Sequence, residues 1–434
     1  MIQKVFKELG SPQKRKKLTL LVVVMISVFA LMIGARFYWE HSPQQPEKIK
    51  TGKKMGEPTI VPKLQAAVDS VLRDELEMID GLQGQAIVMK VQTGEILAMI
   101  GLKRDFDKKY QPCNNFSYQQ ELGSLMMTPS LLALLEVGVD TGYVVHTGTG
   151  VIPVDEERVM KDHNWHRGGY GDINLSRALE VSSNIGIGQT VAKTFRNNQQ
   201  QFFDLLNKMS LGQPESIDGI EGLTASQFTS PKDSDWIDRR IWWSAIGYER
   251  LMAPIHMLTF YNAIANNGKM VKPTMKTGKI EIINPQIASR NNIKVMQEVL
   301  EHVVSQGLGR KAGTPILKVA GKTGTSQVGE YDFREENNVN EYQLAFCGYF
   351  PADAPKYSII VSMNKLGLPA SGGGMAGVVF HDIVKWMISH GMPNLAIIDE
   401  MTNDTVRVTP NNVDSIIQYL VKYTFNHLKI NELH

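Results

Sequence analysis

Apolar and polar residues alternate along two short runs near residue 90, a pattern that is typical of β-strands. The runs cover residues 85–91 and 95–100, and the Gln-Thr-Gly segment at 92–94 is a hairpin signal. A lone hairpin is not stable in water, so we expect these strands to join others. Three later strand patterns cover residues 316–320, 342–350 and 357–363.

Helical spacing of apolar residues dominates the rest of the chain. It marks residues 64–78, most of 116–309, and 378–387. The order of these patterns predicts an α+β fold with a five-stranded antiparallel sheet covered by terminal helices. A large all-α subdomain is then inserted on the other side of the sheet. A last helical pattern at 413–428 is expected to pack on the parent domain, and recruitment of a partner is the alternative.

The N-terminus has the pattern of a membrane anchor. Residues 18–35 carry no charge and are long enough to cross a bilayer as a helix. Four basic residues precede this run and three aromatic residues follow it, which predicts a cytoplasmic N-terminus. The prediction is a single-pass protein of the cytoplasmic (inner) membrane with its main domain outside the cytoplasm. A cleaved signal peptide is the alternative, although the apolar run is longer than a usual signal core.

These patterns divide the chain into five parts. The predicted parts are a basic tail (1–17), a transmembrane anchor (18–39), a polar tether (40–63), the main domain (64–391) and a C-terminal extension with an amphipathic helix (392–434).

The composition is that of a globular protein, with 434 residues of which 43% are hydrophobic and 21% charged. The net charge is +2, and the first 17 residues carry six Lys or Arg against Glu8 alone. The remainder is therefore slightly acidic, so nucleic-acid binding has no electrostatic basis. Cys113 and Cys347 are too few for a disulfide framework, and we expect buried, unpaired thiols.

Three separated segments carry the candidate chemistry. Ser124 opens an apolar helix, and Lys322-Thr323-Gly324-Thr325 follows an apolar strand pattern. Between them lies the segment Ser182-Ser183-Asn184. A serine at a helix N-terminus is often only a cap, but it can also be a nucleophile beside free backbone N–H groups.

In this order the segments resemble the three motifs of the penicillin-binding protein transpeptidase domain, Ser-x-x-Lys, Ser-x-Asn and Lys-Thr-Gly. The resemblance covers roughly residues 64–391 and implies a penicillin-binding/β-lactamase-like fold. Flanking stretches are also similar to the family. They are Asp162-His163-Asn164, Gly169–Asp172, Ala245–Gly247 with Pro254, and Gly348–Asp353.

The resemblance implies catalytic roles for Ser124, Ser182 and Lys322. Ser124 would attack a D-alanyl-D-alanine carbonyl or a β-lactam, and Ser182 would relay the proton of the leaving group. Lys322 would face the substrate carboxylate together with Thr323. The resemblance also implies a substrate-binding set. Its members are Asn184 for the substrate amide, Thr323 for the carboxylate, Gly324 for close approach, and the backbone N–H of Thr325, with that of Ser124, for the oxyanion.

One position departs from the family pattern. Met127 stands where the first motif has its lysine, one helical turn after Ser124. A serine hydroxyl is a poor nucleophile without an adjacent base, and a thioether does not take protons. We therefore expect impaired or absent turnover. Lys322 acting as base from the facing strand is the alternative, and Met126 and Met127 could also be plain core.

No cofactor is implied by the resemblance. Asp162, His163 and His166 are close in sequence, but no fourth ligand is placed by spacing, so no metal is expected.

Two main hypotheses follow. The first is a membrane-anchored D,D-transpeptidase or carboxypeptidase that acts on the peptidoglycan stem peptide through acyl-Ser124. The second is a catalytically silent scaffold or muropeptide sensor, whose partner would be a cell-wall synthase. A serine β-lactamase is less favoured, since it needs the missing lysine and a deacylating base as well.

Overall fold

The structure is a computed structural model that describes residues 55–328, 340–392, 396–399 and 404–407. Nine helices lie in these residues. They are α1 (Pro62–Met78), α2 (Met127–Glu136), α3 (Leu175–Glu180), α4 (Asn184–Thr194), α5 (Gln199–Lys208), α6 (Arg240–Ile246), α7 (Pro254–Ala265), α8 (Arg290–Ser305) and α9 (Gly377–Ser389).

Sixteen strands lie in the same residues. They are β1 (Gly81–Lys90), β2 (Ile96–Arg104), β3 (Tyr110–Pro112), β4 (Val144–His146), β5 (Val151–Pro153), β6 (Val159–Lys161), β7 (Asp172–Asn174), β8 (Gln227–Phe228), β9 (Arg250–Leu251), β10 (Met270–Val271), β11 (Ile282–Asn284), β12 (Ala320–Val328), β13 (Glu341–Phe350), β14 (Tyr357–Leu366), β15 (Ala396–Asp399) and β16 (Asp404–Arg407).

One antiparallel sheet organises these elements, in the order β12–β13–β14–β1–β2–β3. The early hairpin and the three late strands share this sheet, as the alternation predicts. The predicted count of five strands was wrong by one, because the short β3 pairs with the end of β2. Three residues with two exposed side chains do not give a period-2 signal that sequence reasoning could detect.

The bounds of the third-motif strand also differ from the prediction. The pattern placed a strand at 316–320, whereas β12 begins at Ala320 and runs through the motif to Val328. Polar and glycine residues have a low strand preference, but β12 pairs with β13 over its whole length. In that register Lys322 lies opposite Cys347, and Thr325 lies opposite Leu344.

Each face of the sheet is covered by helices, so the core has two layers. Ala86 and Val88 point to the layer under α1 and α9, and their neighbours Ile87 and Met89 point to the other layer. The terminal helices α1 and α9 pack together on the first face, as predicted. On the second face α7 packs against β13 and β14, and α8 packs against β12.

The prediction of an all-α insertion between β3 and β12 was wrong. Seven helices lie there, but they cover fewer than half of the residues, and the eight strands β4 to β11 form four antiparallel pairs between them. Strands of two or three residues are too short to give a period-2 signal. Both cysteines are unpaired; Cys347 is buried, whereas Cys113 is only half-buried.

Two predictions concern residues outside the described part of the chain. These are the membrane anchor at 18–39 and the amphipathic helix at 413–428. Within the described part, every helix is too short or too polar to span a bilayer. In the C-terminal extension, β15 and β16 form a two-stranded antiparallel pair.

Candidate active site

Ser124 lies in a 3₁₀ turn, Gly123–Met126, that leads directly into α2. Gly123 has a φ of 52°, and a Cβ there would come within 2.9 Å of the carbonyl oxygen of Thr325. Only glycine combines this left-handed backbone with so close an approach. The glycine therefore lets the turn rest directly on β12, which brings the first motif beside the third.

The hydroxyl of Ser124 is half-buried and has no hydrogen-bond partner among the residues that the structure describes. A serine that acts as a nucleophile needs a base within hydrogen-bond reach. The first motif supplies none, because Met127 occupies the position one helical turn on. Met127 is fully buried and belongs to the core between the sheet and the helices.

The two serines of the second motif have different surroundings. Ser183 is buried and caps α4, accepting a hydrogen bond from the backbone N–H of Gly186 at 2.9 Å. Its hydroxyl also contacts both carboxylate oxygens of Asp162, at 3.0 and 2.8 Å. Ser182 has the uncommon φ of 55° between α3 and α4, and it is half-buried. Ser183 therefore has a structural role, and Ser182 is free to contact the other motifs.

Asp162 fixes this motif from the preceding loop. It is fully buried and accepts a third hydrogen bond from the backbone N–H of Ile185 at 3.0 Å. Burial raises the pKa of Asp162, while the bonds from Ile185 and Ser183 act in the opposite direction. Sequence reasoning considered Asp162 as a flanking residue and as a metal ligand but missed this role, since the contact joins residues 21 positions apart.

Asn184 begins α4, and its side-chain Nδ2 donates to the carbonyl oxygen of Lys161 at 2.8 Å. This bond ties the second motif to the end of β6. Asn184 is partly exposed, and its side-chain oxygen has no hydrogen-bond partner among the described residues.

Lys322 is the most unusual charged residue of the site. Its side chain is fully buried, and no carboxylate of the described residues lies within 4.0 Å of it. Its Nζ donates to Ser182 Oγ at 2.8 Å and to the carbonyl oxygen of Thr323 at 2.9 Å. Desolvation lowers the pKa of Lys322 to about 7, so a large fraction of this amine is uncharged near neutral pH.

The rest of the third motif fits the cleft wall closely. A Cβ at Gly324 would come within 2.7 Å of the carbonyl oxygen of Leu122, so only glycine lets the 3₁₀ turn pack here. Thr323 is buried, while Thr325 is exposed and its hydroxyl accepts from the backbone N–H of Gly372 at 2.9 Å.

The three motifs meet at the hydroxyl of Ser182. Besides accepting from Lys322, Ser182 Oγ donates to Met127 Sδ at 3.6 Å. The helix of the first motif and the strand of the third are thus both within hydrogen-bond reach of the second. The arrangement can hold a carboxylate near Lys322, and the residue one helical turn after Ser124 is Met127, whose side chain is a thioether.

Glu121 is a cleft residue that sequence reasoning missed. Its carboxylate accepts from the backbone N–H of Glu249 at 2.6 Å, and its carbonyl oxygen accepts from Ser326 Oγ at 2.9 Å. These bonds hold the chain just before Ser124 against β12 and the segment after α6. Burial raises the pKa of Glu121. A single Glu before Gly-Ser gives no signal in the sequence.

Two of the three residues weighed for a metal site, Asp162 and His163, have hydrogen-bond partners. Asp162 is bonded within the second motif, and His163 Nε2 is 3.0 Å from the hydroxyl of Tyr170. No group of three or more metal-ligating side chains comes together in the described ranges.

Comparison with known proteins decides the family. A sequence profile of the penicillin binding protein transpeptidase domain matches residues 84–385. The chain belongs to this family. The transpeptidase domain of this chain therefore contains the whole six-stranded sheet except the first residues of β1, and all three motifs.

Individual relatives agree with this assignment. Penicillin-binding protein PbpB of Mycobacterium tuberculosis is 25% identical over 371 residues, 76% of this chain and 52% of the relative. Peptidoglycan D,D-transpeptidase FtsI of Escherichia coli is 24% identical over 332 residues, 73% of this chain and 52% of the relative. The chain thus spans about half the length of these curated relatives.

A solved structure gives the same fold. It is the apo transpeptidase (TP) domain of penicillin-binding protein 3 from Burkholderia pseudomallei, which is 26% identical. The match has a TM-score of 0.65 and covers 78% of this chain and 98% of that domain.

Proposed function

We propose that this chain is a membrane-anchored member of the peptidoglycan D,D-transpeptidase family whose cleft binds a D-Ala-D-Ala stem peptide or a β-lactam at Ser124 with impaired or absent turnover. The observation that carries the proposal is the contact of Met127 Sδ with Ser182 Oγ at 3.6 Å. The thioether fills the position where an acyl-serine enzyme of this family needs an amine. The hydroxyl of Ser124, which has no hydrogen-bond partner in the part of the chain that the structure describes, supports the same conclusion.

The size of the expected loss in acylation rate can be estimated. General-base catalysis contributes about 10²- to 10⁴-fold to such reactions. A methionine accepts hydrogen bonds weakly and cannot hold a proton at neutral pH. Transition-state binding by backbone N–H groups retains some rate, so acylation of Ser124 is slow rather than impossible.

Binding groups remain in the same cleft. Lys322 and Thr323 are suited to a terminal carboxylate, because a buried amine without a carboxylate partner gains most from an anionic ligand. Asn184 is partly exposed, and its side-chain oxygen would accept from a peptide N–H of the ligand. The backbone N–H groups of Ser124 and Thr325 would hold the carbonyl oxygen of the scissile bond. These roles do not need the lysine that position 127 lacks.

A non-catalytic role is the second candidate. A cleft that binds the stem peptide without consuming it would act as a muropeptide sensor or scaffold, with a cell-wall synthase as the protein partner. The fully buried thioether favours this role, since it keeps the packing of the site without its chemistry. In both cases the anchor at 18–39 would place the domain outside the cytoplasmic membrane.

One experiment tests binding and turnover together. The full chain in detergent is titrated calorimetrically with a peptide that ends in D-Ala-D-Ala, and the mixture is then assayed for released D-alanine. We expect saturable binding with little or no release over hours. A peptide that ends in L-Ala-L-Ala is the matched control and should bind at least about tenfold more weakly, a loss of about 1.4 kcal/mol.

Two outcomes would overturn the proposal. Steady release of D-alanine that disappears in Ser124→Ala would show a working enzyme. Equal affinity for the two peptides would show that the cleft does not recognise this ligand.

A further inference from the structure

Ser182 and Lys322 form a serine–lysine pair that is separate from Ser124. Their Oγ and Nζ atoms are 2.8 Å apart, a direct hydrogen bond. Lys322 is fully buried, and within the described residues its only other close hydrogen bond is to the carbonyl oxygen of Thr323. Within the described ranges, no carboxylate lies close enough to this amine to keep it protonated, and a hydroxyl lies beside it.

The backbone of Ser182 is also unusual. A φ of 55° is uncommon for a residue with a Cβ, and such outliers cluster at functional sites. The flanking residue Ser183 holds this conformation through Asp162, and its backbone N–H donates to the carbonyl oxygen of Ala178 at 2.8 Å. Ser182 therefore lies in a turn that is held by hydrogen bonds on its C-terminal side, and the residue is only partly buried.

The two cleft serines differ in the atoms that surround them. The hydroxyl of Ser124 lacks a hydrogen-bond partner among the described residues. Ser182 has Lys322 on one side and Met127 Sδ at 3.6 Å on the other. A thioether is a weak acceptor, so it does not compete strongly for the proton of the hydroxyl. Burial lowers the pKa of Lys322 to about 7, which leaves an uncharged amine available near neutral pH.

We propose that Ser182, with Lys322 as its base, is the residue of this cleft that is acylated by an activated acyl donor such as an aryl ester. The inference rests on the proposed function in one respect, namely that Ser124 lacks a base. Serine–lysine pairs are a known alternative to the serine–histidine arrangement. A lysine desolvated in an apolar site is a recognised way to obtain such a base.

The proposed step balances as a simple acyl transfer. Ser182 Oγ forms an ester bond with the acyl carbon and gives its proton to Lys322 Nζ. The bond from the acyl carbon to the aryl oxygen breaks, and its electron pair stays on that oxygen. Lys322 returns the proton to the leaving phenol, so the amine is uncharged again and no other reactant is needed.

The test uses the full chain in detergent and p-nitrophenyl acetate. Release of p-nitrophenol is followed in solution, and the acetylated residue is located by proteolysis and tandem mass spectrometry. We expect one acetyl group on Ser182 in the wild-type chain. Lys322→Arg keeps a positive charge but cannot act as a base, so labelling of Ser182 should fall at least about 10²-fold.

Ser210→Ala is the matched control for loss of a serine at a left-handed position. Ser210 has a φ of 56°, and its hydroxyl accepts from Asn284 and forms no hydrogen bond with a lysine among the described residues. This variant should be labelled like the wild type, and Ser182→Ala should not be labelled at this site. Thermal unfolding of each variant separates lost reactivity from lost folding.

The outcomes distinguish this inference from the proposed function. Rapid acetylation of Ser124 with none on Ser182 would overturn both, whereas slow acetylation of Ser124 alone would overturn only the role of Ser182. If Ser182 is unlabelled, or is labelled equally fast in Lys322→Arg, the pair has no catalytic role. Binding of the D-Ala-D-Ala peptide without turnover would then still stand.

Discussion

Met127 and Lys322 lie on opposite sides of one hydroxyl. Both side chains are fully buried, and both contact Ser182 Oγ, Met127 through sulfur and Lys322 through nitrogen. On α2 the cleft has a long side chain without a basic group, whereas on β12 it has an amine. The shape of the cleft and its capacity to transfer protons are therefore separate properties. A methionine preserves the first without the second.

Placing an amine at position 127, at the start of α2, should have the largest effect. Met127→Lys places a base one turn from Ser124, and such a base is worth about 10²- to 10⁴-fold in rate. Labelling by a fluorescent penicillin should be at least about 10²-fold faster than in the wild type. Adding Ser124→Ala should abolish the gain. A gain that survives the second substitution would mean that another residue is being acylated.

Removing the Asp162 carboxylate, which accepts hydrogen bonds from Ser183 and Ile185, should have the next largest effect. Asp162→Ala leaves the buried Ser183 hydroxyl and the Ile185 N–H without their acceptor, at a cost of roughly 3 kcal/mol in the free energy of unfolding. Asp162→Asn keeps one acceptor oxygen and should cost less. Urea denaturation measures both. Equal stability of Asp162→Ala and the wild type would show that the second motif is held by other contacts.

The protonation of Lys322, on β12, can be tested through the pH dependence of the free energy of unfolding. Because burial lowers the pKa of Lys322 from 10.5 to about 7, the unfolded chain binds more protons than the folded chain between these values. The free energy of unfolding should therefore rise from pH 7 to pH 9, by roughly 2 kcal/mol from this residue. Lys322→Met should remove that part of the rise. If the free energy of unfolding changes with pH equally in the wild type and in Lys322→Met, the amine of Lys322 is not desolvated in the folded chain.

The smallest effect is expected for a substitution of Met127 that conserves the volume of the side chain. Met127→Leu is a volume-conserving change that should cost less than about 1.5 kcal/mol in stability. Penicillin labelling and peptide affinity should both stay at the wild-type level, because no base is lost and the hydrogen bond from Ser182 to the thioether is weak. A strong fall in either would mean that the thioether itself takes part in the site.

The elements that carry the site were largely predictable from local patterns. The hairpin of β1 and β2 follows from strict alternation and its Gln-Thr-Gly turn, and α9 follows from helical spacing. The three motifs could be located because each combines distinctive residue types in a short stretch. The count of strands and the start of β12 could not be predicted, since pairing with neighbours sets both.

The geometry at Ser182 could not be predicted from local sequence patterns. Three features depend on residues distant in the chain. They are the left-handed backbone of Ser182, the hydrogen bonds of Asp162 to its neighbour Ser183, and the 2.8 Å hydrogen bond from Lys322. The sequence predicted that Met127 replaces a base. It did not indicate that the remaining lysine would lie against Ser182, because side-chain contacts across a cleft leave no periodic signal.

The central claim is tested most directly by the intact mass of the wild-type chain during incubation with benzylpenicillin, with peptide mapping of Ser124. We predict little or no adduct on Ser124 over a time in which Met127→Lys is fully labelled. Rapid and complete labelling of Ser124 in the wild type, absent in Ser124→Ala, would contradict the account.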